Sequence, residues 1–265
     1  MKYCFAYKKI RGIAEKADEL LVEYKRKDAT IPDFIELYKD KRIILEVKDA
    51  ATENDLQIFK ALCEKYSNVV VQLYTPINEV KKYDFPFYFS TYINTWDVLL
   101  YYLSLGVTDV YIVEELGFEL DKVSKIVHNA NAQVRVFPNV AQSQWKEMPG
   151  IKKFFIRPED VEYYEPYVDV FEFYGKDDFL ATLYKVYNND KKWFGPLNEI
   201  IIDLNSDLDG KYTIPRFGER RATCGRKCLK GEPCAICDRV KELSHTLEQA
   251  ELIVKVDKNI EFDNK

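Results

Sequence analysis

The sequence has few of the residues on which several common catalytic sites depend. Its only histidines are His128 and His245, which argues against a zinc hydrolase site built from several histidines. The ten glycines form no dinucleotide fingerprint after an early strand and no phosphate-binding Gly-Lys-Ser/Thr loop. No apolar run reaches the roughly 18–20 residues needed to span a bilayer, and Met1–Arg11 lacks the apolar stretch of a signal peptide. We therefore expect a cytoplasmic protein without a membrane anchor.

The charge balance bears on the class of partner. The formal net charge is −5 and the sequence pI is about 5.4, which argues against a globally basic nucleic-acid-binding protein. A local basic patch is still compatible with this composition. Hydrophobic residues make up 47% of the chain, so a sizeable core can form and global disorder is excluded.

Short apolar runs alternate with segments of helical spacing over most of the chain. Most of the runs are continuously apolar, as in parallel strands that are covered on both faces. The eight predicted strands are Glu19–Tyr24, Arg42–Val47, Val69–Leu73, Phe87–Thr91, Asp109–Val113, Gln133–Phe137, Lys153–Ile156 and Val170–Tyr174.

Eight strand–helix units predict a (β/α)8 TIM-type barrel over residues 1–205. An open, doubly wound sheet is the second choice, and the missing dinucleotide fingerprint weakens it. Residues 206–265 are predicted to form a cysteine-rich metal-binding segment followed by a C-terminal helix.

Four of the six cysteines lie close together, with the spacing C-x3-C-x5-C-x2-C. Four thiolates complete a tetrahedral zinc site or hold one iron–sulfur cluster, and glycines and a proline between them allow tight turns. Metal binding is therefore favoured over disulfides in a cytoplasmic protein. The short central gap fits iron–sulfur somewhat better than zinc, but the chemistry alone leaves both metals open. The cysteines are Cys224, Cys228, Cys234 and Cys237.

Two short motifs around these cysteines resemble the collagenase-like peptidase family (peptidase family U, number thirty-two). Gly225-Arg-Lys-Cys-Leu229 resembles the Ser-Gly-Arg-Cys stretch of that family, and Gly231-Glu-Pro-Cys-Ala-Ile-Cys-Asp-Arg239 resembles its second cysteine stretch. The resemblance implies a barrel and a 4Fe-4S cluster held by the four clustered cysteines. Several members of the family hydroxylate RNA bases or quinone precursors without oxygen, which implies an RNA or small-molecule substrate and a redox partner.

Candidate substrate-binding residues follow from the position of active sites in such barrels, at the carboxyl ends of the strands. Glu46 alternates with apolar neighbours near the end of its strand, and Glu172 is a charge within an apolar strand. Arg157 follows another predicted strand, and its guanidinium group could bind a carboxylate or phosphate. We therefore predict that Glu46, Arg157 and Glu172 contact the substrate.

Three functions are compatible with these patterns. The first is an iron–sulfur barrel enzyme that acts on an RNA base or a small metabolite. The second is a zinc-stabilised barrel that binds nucleic acid or protein through a local basic patch. The third is a peptidase, although the sequence contains no Gly-x-Ser-x-Gly or His-Glu-x-x-His motif. The basic patch of the second function would comprise Arg216, Arg220, Arg221, Arg226, Lys227 and Lys230.

Overall fold

A computed structural model describes eight stretches of the chain. It has an α/β fold in which nine parallel strands form one curled sheet, with helices between many of the strands. The described residues are 2–6, 15–26, 28–74, 81–113, 116–141, 154–175, 177–193 and 197–202.

The strands run in the sheet in the order β5-β4-β3-β2-β1-β9-β8-β7-β6. Strands that are consecutive in the chain are mostly neighbours in the sheet, as expected for repeated strand–helix units. The strands are β1 (Lys2–Ala6), β2 (Glu19–Glu23), β3 (Arg42–Val47), β4 (Val69–Leu73), β5 (Phe87–Phe89), β6 (Tyr92–Ile93), β7 (Asp109–Ile112), β8 (Gln133–Val136) and β9 (Val170–Phe173).

Six α-helices accompany the strands in the described part of the chain. The best defined start is that of α2, where Thr52 and Asp55 cap one another's backbone N–H groups in a capping box. The helices are α1 (Ile31–Leu37), α2 (Glu53–Lys65), α3 (Trp96–Ser104), α4 (Leu120–Asn129), α5 (Val161–Tyr164) and α6 (Asp177–Tyr184), and a π-helix at Lys185–Asp190 continues α6.

The sheet is buried on both faces. Every residue of β4 is buried, and so are most residues of β3. This explains why these strands have near-continuous apolar sequences, since each face packs against other side chains instead of water.

The predicted strand positions are confirmed for most of the sheet, with three differences. The predicted strand Lys153–Ile156 is not confirmed as a strand: Lys153 lies outside the described residues, Phe154 forms an isolated bridge, and Phe155 and Ile156 are buried but irregular. Strand β1 was not predicted, since Lys2–Ala6 mixes a lysine with aromatic residues. The predicted strand Phe87–Thr91 is confirmed only over β5, and β6 begins just beyond it at Tyr92 with a different neighbour in the sheet.

The division between β5 and β6 explains how the sheet curls. These two strands lie at opposite ends of the sheet order but are separated by only Ser90 and Thr91 in the chain. Strand β5 pairs with β4, whereas β6 pairs with β7. The two ends of the sheet therefore come together at one short stretch of backbone.

The C-terminal segment cannot be compared with the prediction. The boundary between residues 205 and 206 and all four clustered cysteines lie outside the described residues. Within the described part of the chain, no helix is long and apolar enough to cross a membrane.

Candidate active site

A cavity of about 250 Å³ opens at the carboxyl ends of the strands. In parallel α/β sheets this end carries the ligand sites, because the loops that follow the strands converge there. The cavity is lined by Leu21, Glu46, Lys48, Gln72, Ser90, Tyr92, Tyr111, Phe137, Glu172, Phe173, Tyr174 and Gly175.

Strand register brings the polar lining residues together. Glu46 of β3 is paired with Gln72 of β4, and side chains of paired residues project from the same face of a sheet. Glu172 of β9 and Tyr111 of β7 reach the same cavity from the other side of the curled sheet. Two of the three predicted substrate-binding residues, Glu46 and Glu172, thus line one site.

Glu172 is the buried acidic group of the cavity. It is 5% exposed, accepts a hydrogen bond of 2.6 Å from the Tyr111 hydroxyl, and contacts Arg135 Nη1 at 3.0 Å. The same tyrosine hydroxyl accepts a hydrogen bond of 2.9 Å from Gln72 Nε2. Burial raises the pKa of Glu172, and Arg135 and Tyr111 offset this only in part. A carboxyl group with a raised pKa is suited to general acid–base chemistry.

Arg135 lies at the centre of a charged network inside the sheet. Its side chain has no exposed surface and contacts three carboxylates: Glu172, Asp109 at 2.8 Å, and Glu19. The guanidinium group also lies 5.2 Å from the centre of the Tyr88 ring. The network therefore connects the floor of the cavity to the interior of the sheet.

A second arginine completes this network. Arg42 contacts Asp109 Oδ2 at 2.5 Å and Glu19 Oε1 at 3.2 Å. Burial alone would raise the pKa of Asp109, but Arg135 and Arg42 outweigh it and hold that pKa well below its usual range. Asp109 is consequently ionised and tightly bound.

A looser group of charges lies at the rim of the cavity. Lys48 Nζ is 3.5 Å from Glu46 and 3.6 Å from Glu23. These side chains are partly exposed, so solvent weakens their attraction and they are free to respond to a ligand.

Aromatic rings form one wall of the cavity. Tyr111 and Phe137 are stacked with ring centres 5.2 Å apart, and Tyr92 meets Phe137 edge to face at 5.8 Å. Tyr92 and Tyr174 are 56% and 65% exposed, although large aromatic side chains usually gain from burial. Exposed aromatic faces beside polar groups are typical of sites that bind planar ligands.

Arg157 is placed away from the cavity. Its guanidinium group contacts Asp160 through Nε–Oδ2 at 2.6 Å and Nη2–Oδ1 at 2.8 Å, and it contacts Glu159 at 3.4 Å. The side chain is only 4% exposed. These contacts give Arg157 a local structural role, and its predicted contact with a substrate stays a prediction.

The chain returns to the cavity end of the sheet just before the C-terminal segment. Ile202 forms a parallel bridge with Val140, which follows β8. The neighbouring Asn139 is fully buried and hydrogen-bonds through its side chain to both backbone groups of Tyr174. Residue 202 is therefore held near the carboxyl ends of β8 and β9.

The clustered cysteines Cys224, Cys228, Cys234 and Cys237 lie outside the described residues. Within the part that is described, no group of histidine, cysteine and acidic residues is arranged to hold a metal ion. The two described cysteines, Cys4 and Cys63, are free thiols. Burial raises the pKa of both, so neither is a reactive thiolate.

Sequence reasoning missed two important residues of the site, Arg135 and Tyr111. Arg135 offered the same signal that identified Glu172, namely a charge within an apolar strand (Gln-Val-Arg-Val). Tyr111 offered no comparable signal, because a tyrosine in a strand is usually part of the packing.

Comparison with known proteins gives one distant relationship. The sequence is 33% identical to an uncharacterized protease of Methanocaldococcus jannaschii over 99 residues, which are 35% of this chain and 29% of the relative. The alignment thus covers less than a third of that protein. No protein-family model matches the chain, and no solved structure matches it. The relationship agrees with a peptidase-like family and says nothing about an iron–sulfur cluster.

Proposed function

We propose that the cavity is the active site of an enzyme that acts on a small planar substrate or on one planar group of a larger one. Glu172 carries this proposal, because it is a buried carboxyl group on the floor of an aromatic-walled cavity at the carboxyl ends of parallel strands. In this proposal Glu172 transfers a proton to or from the substrate. Tyr111 orients its carboxyl group, and Glu46 contacts the substrate from the opposite side.

The proposed site belongs to a closed (β/α)8 barrel in which β5 and β6 together act as one strand. Two backbone hydrogen bonds support closure, from Thr108 N–H to the Phe87 carbonyl at 2.8 Å and from Val113 N–H to the Ile93 carbonyl at 3.2 Å. The hydrogen bond between Gln72 and Tyr111 joins β4 and β7, the neighbours of β5 and β6. A closed barrel would exclude water from the interior charges.

The proposed cofactor is a metal centre held by Cys224, Cys228, Cys234 and Cys237. This donor set fits either a 4Fe-4S cluster or Zn²⁺, since both bind four thiolates. An iron–sulfur cluster would supply one-electron transfer, as the family resemblance implies for oxidation of an RNA base or a small metabolite, whereas zinc would stabilise the segment.

Metal content of protein purified without oxygen tests the cofactor. We expect wild-type protein to bind iron and to absorb broadly in the visible range, and Cys228→Ser to lose both properties. Cys63→Ser is the matched control, because Cys63 lies on α2 outside the cysteine cluster and should leave the metal unchanged. Colourless protein that contains zinc would indicate a structural zinc site instead of an iron–sulfur cluster. An equal metal content in Cys228→Ser and wild-type protein would refute both assignments.

Mass spectrometry of substrates tests the catalytic role. The protein is incubated without oxygen with RNA and with small aromatic metabolites, an electron acceptor is added, and oxidised products are measured. Glu172→Gln should lower product formation by at least about 100-fold, since it removes a general acid–base group. Glu162→Gln changes an exposed carboxylate on α5 and should have no effect. Full activity of Glu172→Gln would overturn the assignment.

A second candidate function is peptide hydrolysis, which the name of the archaeal relative favours. Of the residues described at the cavity, Ser90 is the one hydroxyl nucleophile of the serine type, and no histidine or cysteine lines it. A peptidase at this site would therefore use Glu172 or Glu46 to activate water. Cleavage of a peptide library by wild-type protein but not by Glu172→Gln would favour this function over oxidation.

A further inference from the structure

The charged side chains around the cavity form two groups, and each group has more negative than positive charges. Inside the sheet, three carboxylates face two guanidinium groups, and at the rim two carboxylates face one ammonium group. Both groups of charges thus have one negative charge in excess when all members are ionised. The members are Glu19, Asp109, Glu172, Arg42 and Arg135 inside, and Glu23, Glu46 and Lys48 at the rim.

Glu172 is the interior carboxylate whose negative charge is least compensated by the two arginines. Asp109 and Glu19 each contact both arginines, whereas Glu172 contacts only Arg135. Glu172 is also the one carboxylate of these three that lines the cavity. An incompletely compensated buried charge costs free energy, so the site gains from anything that brings a positive charge to this carboxylate.

A second polar group at the cavity also lacks a partner. Gln72 is 5% exposed and lines the cavity, and its Oε1 has no hydrogen-bond partner among the described residues. A buried carbonyl oxygen without a donor costs roughly 1–3 kcal/mol. Because Oε1 itself is buried, a ligand N–H group would bind it and remove this cost after the Gln72 amide turns towards the cavity.

We propose that the cavity binds a planar organic cation, such as an amidinium or guanidinium group. Its charge would meet Glu172 and one N–H group would bind Gln72 Oε1, while its plane would lie against Tyr92. Amidinium and guanidinium groups suit this site because they are flat, donate several hydrogen bonds in one plane, and stack on aromatic rings. The inference rests on the proposed function, since it names the chemical class of the substrate of that same cavity.

A proton can supply the same positive charge, so protons and the cation should compete for Glu172. The pKa values of the surrounding tyrosines and of Cys4 are raised by burial, so these groups stay neutral near pH 7. Arg135 stays charged. Binding of the cation should therefore strengthen as the pH rises and should release protons. The groups that face Glu172 are Arg135, Tyr111, Tyr88, Tyr92, Cys4, Glu19 and Glu46.

Calorimetry with three probes of the same size tests the proposal on the full-length chain. Benzamidine is the cation, benzamide is its neutral counterpart, and benzoate is the anion. We expect benzamidine to bind at least tenfold more tightly than benzamide, and benzoate to bind more weakly than both. The affinity for benzamidine should rise as the pH increases above the ordinary pKa range of a glutamate, and its binding heat should differ between buffers of different ionisation enthalpy because protons are released.

Variants assign the preference to a residue. Glu172→Gln should lower the affinity for benzamidine at least tenfold and leave that for benzamide nearly unchanged, while Glu162→Gln should behave as wild type. If Glu172→Gln does not fold, the pH dependence of the wild-type protein still tests the inference. Equal binding of benzamide and benzamidine would overturn the inference but keep the cavity as a ligand site. Failure of all three probes to bind at millimolar concentration would count against both proposals.

Discussion

Two buried charged clusters of this protein use the same kinds of side chain but differ in how they are assembled. In the first, Arg157 is enclosed by Glu159 and Asp160, which lie within three residues of it. In the second, Arg135 joins carboxylates from three other strands, and its partner Glu19 is 116 residues away in the sequence. The comparison teaches that some buried ion pairs form between neighbours in one segment, whereas the interior network joins strands from the whole sheet.

The largest effect is expected from Arg135→Met. This change leaves three buried carboxylates with one arginine, so it should lower the free energy of unfolding by about 4 kcal/mol. Urea denaturation followed by circular dichroism measures the loss. A loss below about 1 kcal/mol would mean that the interior network contributes no more than an exposed salt bridge.

Arg157→Met should cost somewhat less, about 3 kcal/mol, because the carboxylates of Glu159 and Asp160, which lie in one short segment, lose a buried cationic contact. The affinity of the folded variant for benzamidine should equal that of the wild-type protein. Calorimetry below the unfolding temperature checks this. A loss of affinity at unchanged stability would instead support the predicted contact of Arg157 with the substrate.

The smallest effect is expected from Glu159→Gln and depends on pH. Burial raises the pKa of Glu159 from 4.5 to about 6, and its side chain is 14% exposed. Between these pH values the folded protein holds more protons than the unfolded chain, so wild-type stability falls as the pH rises through this window.

Glutamine does not titrate, so the variant should lack this fall and gain about 2 kcal/mol relative to wild type between pH 4 and pH 7. Denaturation of both proteins across this range measures the difference, with Glu162→Gln as the control. A difference that does not change with pH would show that Arg157 compensates Glu159 fully.

Local sequence patterns were enough to place most strands and two site residues. Continuous apolar runs such as Val69–Leu73 identify buried strands, and Glu172 stands out as a charge within such a run. The mixed composition of Lys2–Ala6 gave no signal for β1, which lies between β2 and β9 in the sheet. Phe155 and Ile156 have the composition of a buried strand but are irregular, because burial in an irregular segment produces the same composition.

The composition of the site could be predicted only in part, for a physical reason. Whether a buried charge is balanced depends on partners that are distant in sequence, and no local pattern shows them. Arg157 and Glu172 were both predicted to contact the substrate. Arg157 contacts Asp160, which is close to it in the chain, whereas Glu172 lines a cavity. The unpartnered oxygen of Gln72 could not be predicted, because it is a property of the assembled sheet.

The position of β1 between β2 and β9 has a consequence for the order of folding. Every other pair of neighbouring strands joins segments that follow one another in the chain, whereas the β1–β9 pair joins Lys2 to Val170. Closing this long loop is slow, although each doubling of loop length adds only about 0.6 kcal/mol of entropic cost. We therefore expect the strand groups β1–β5 and β6–β9 to form first and the pairing of β1 with β9 to form last. Arg135 would meet Glu19 only at that final step.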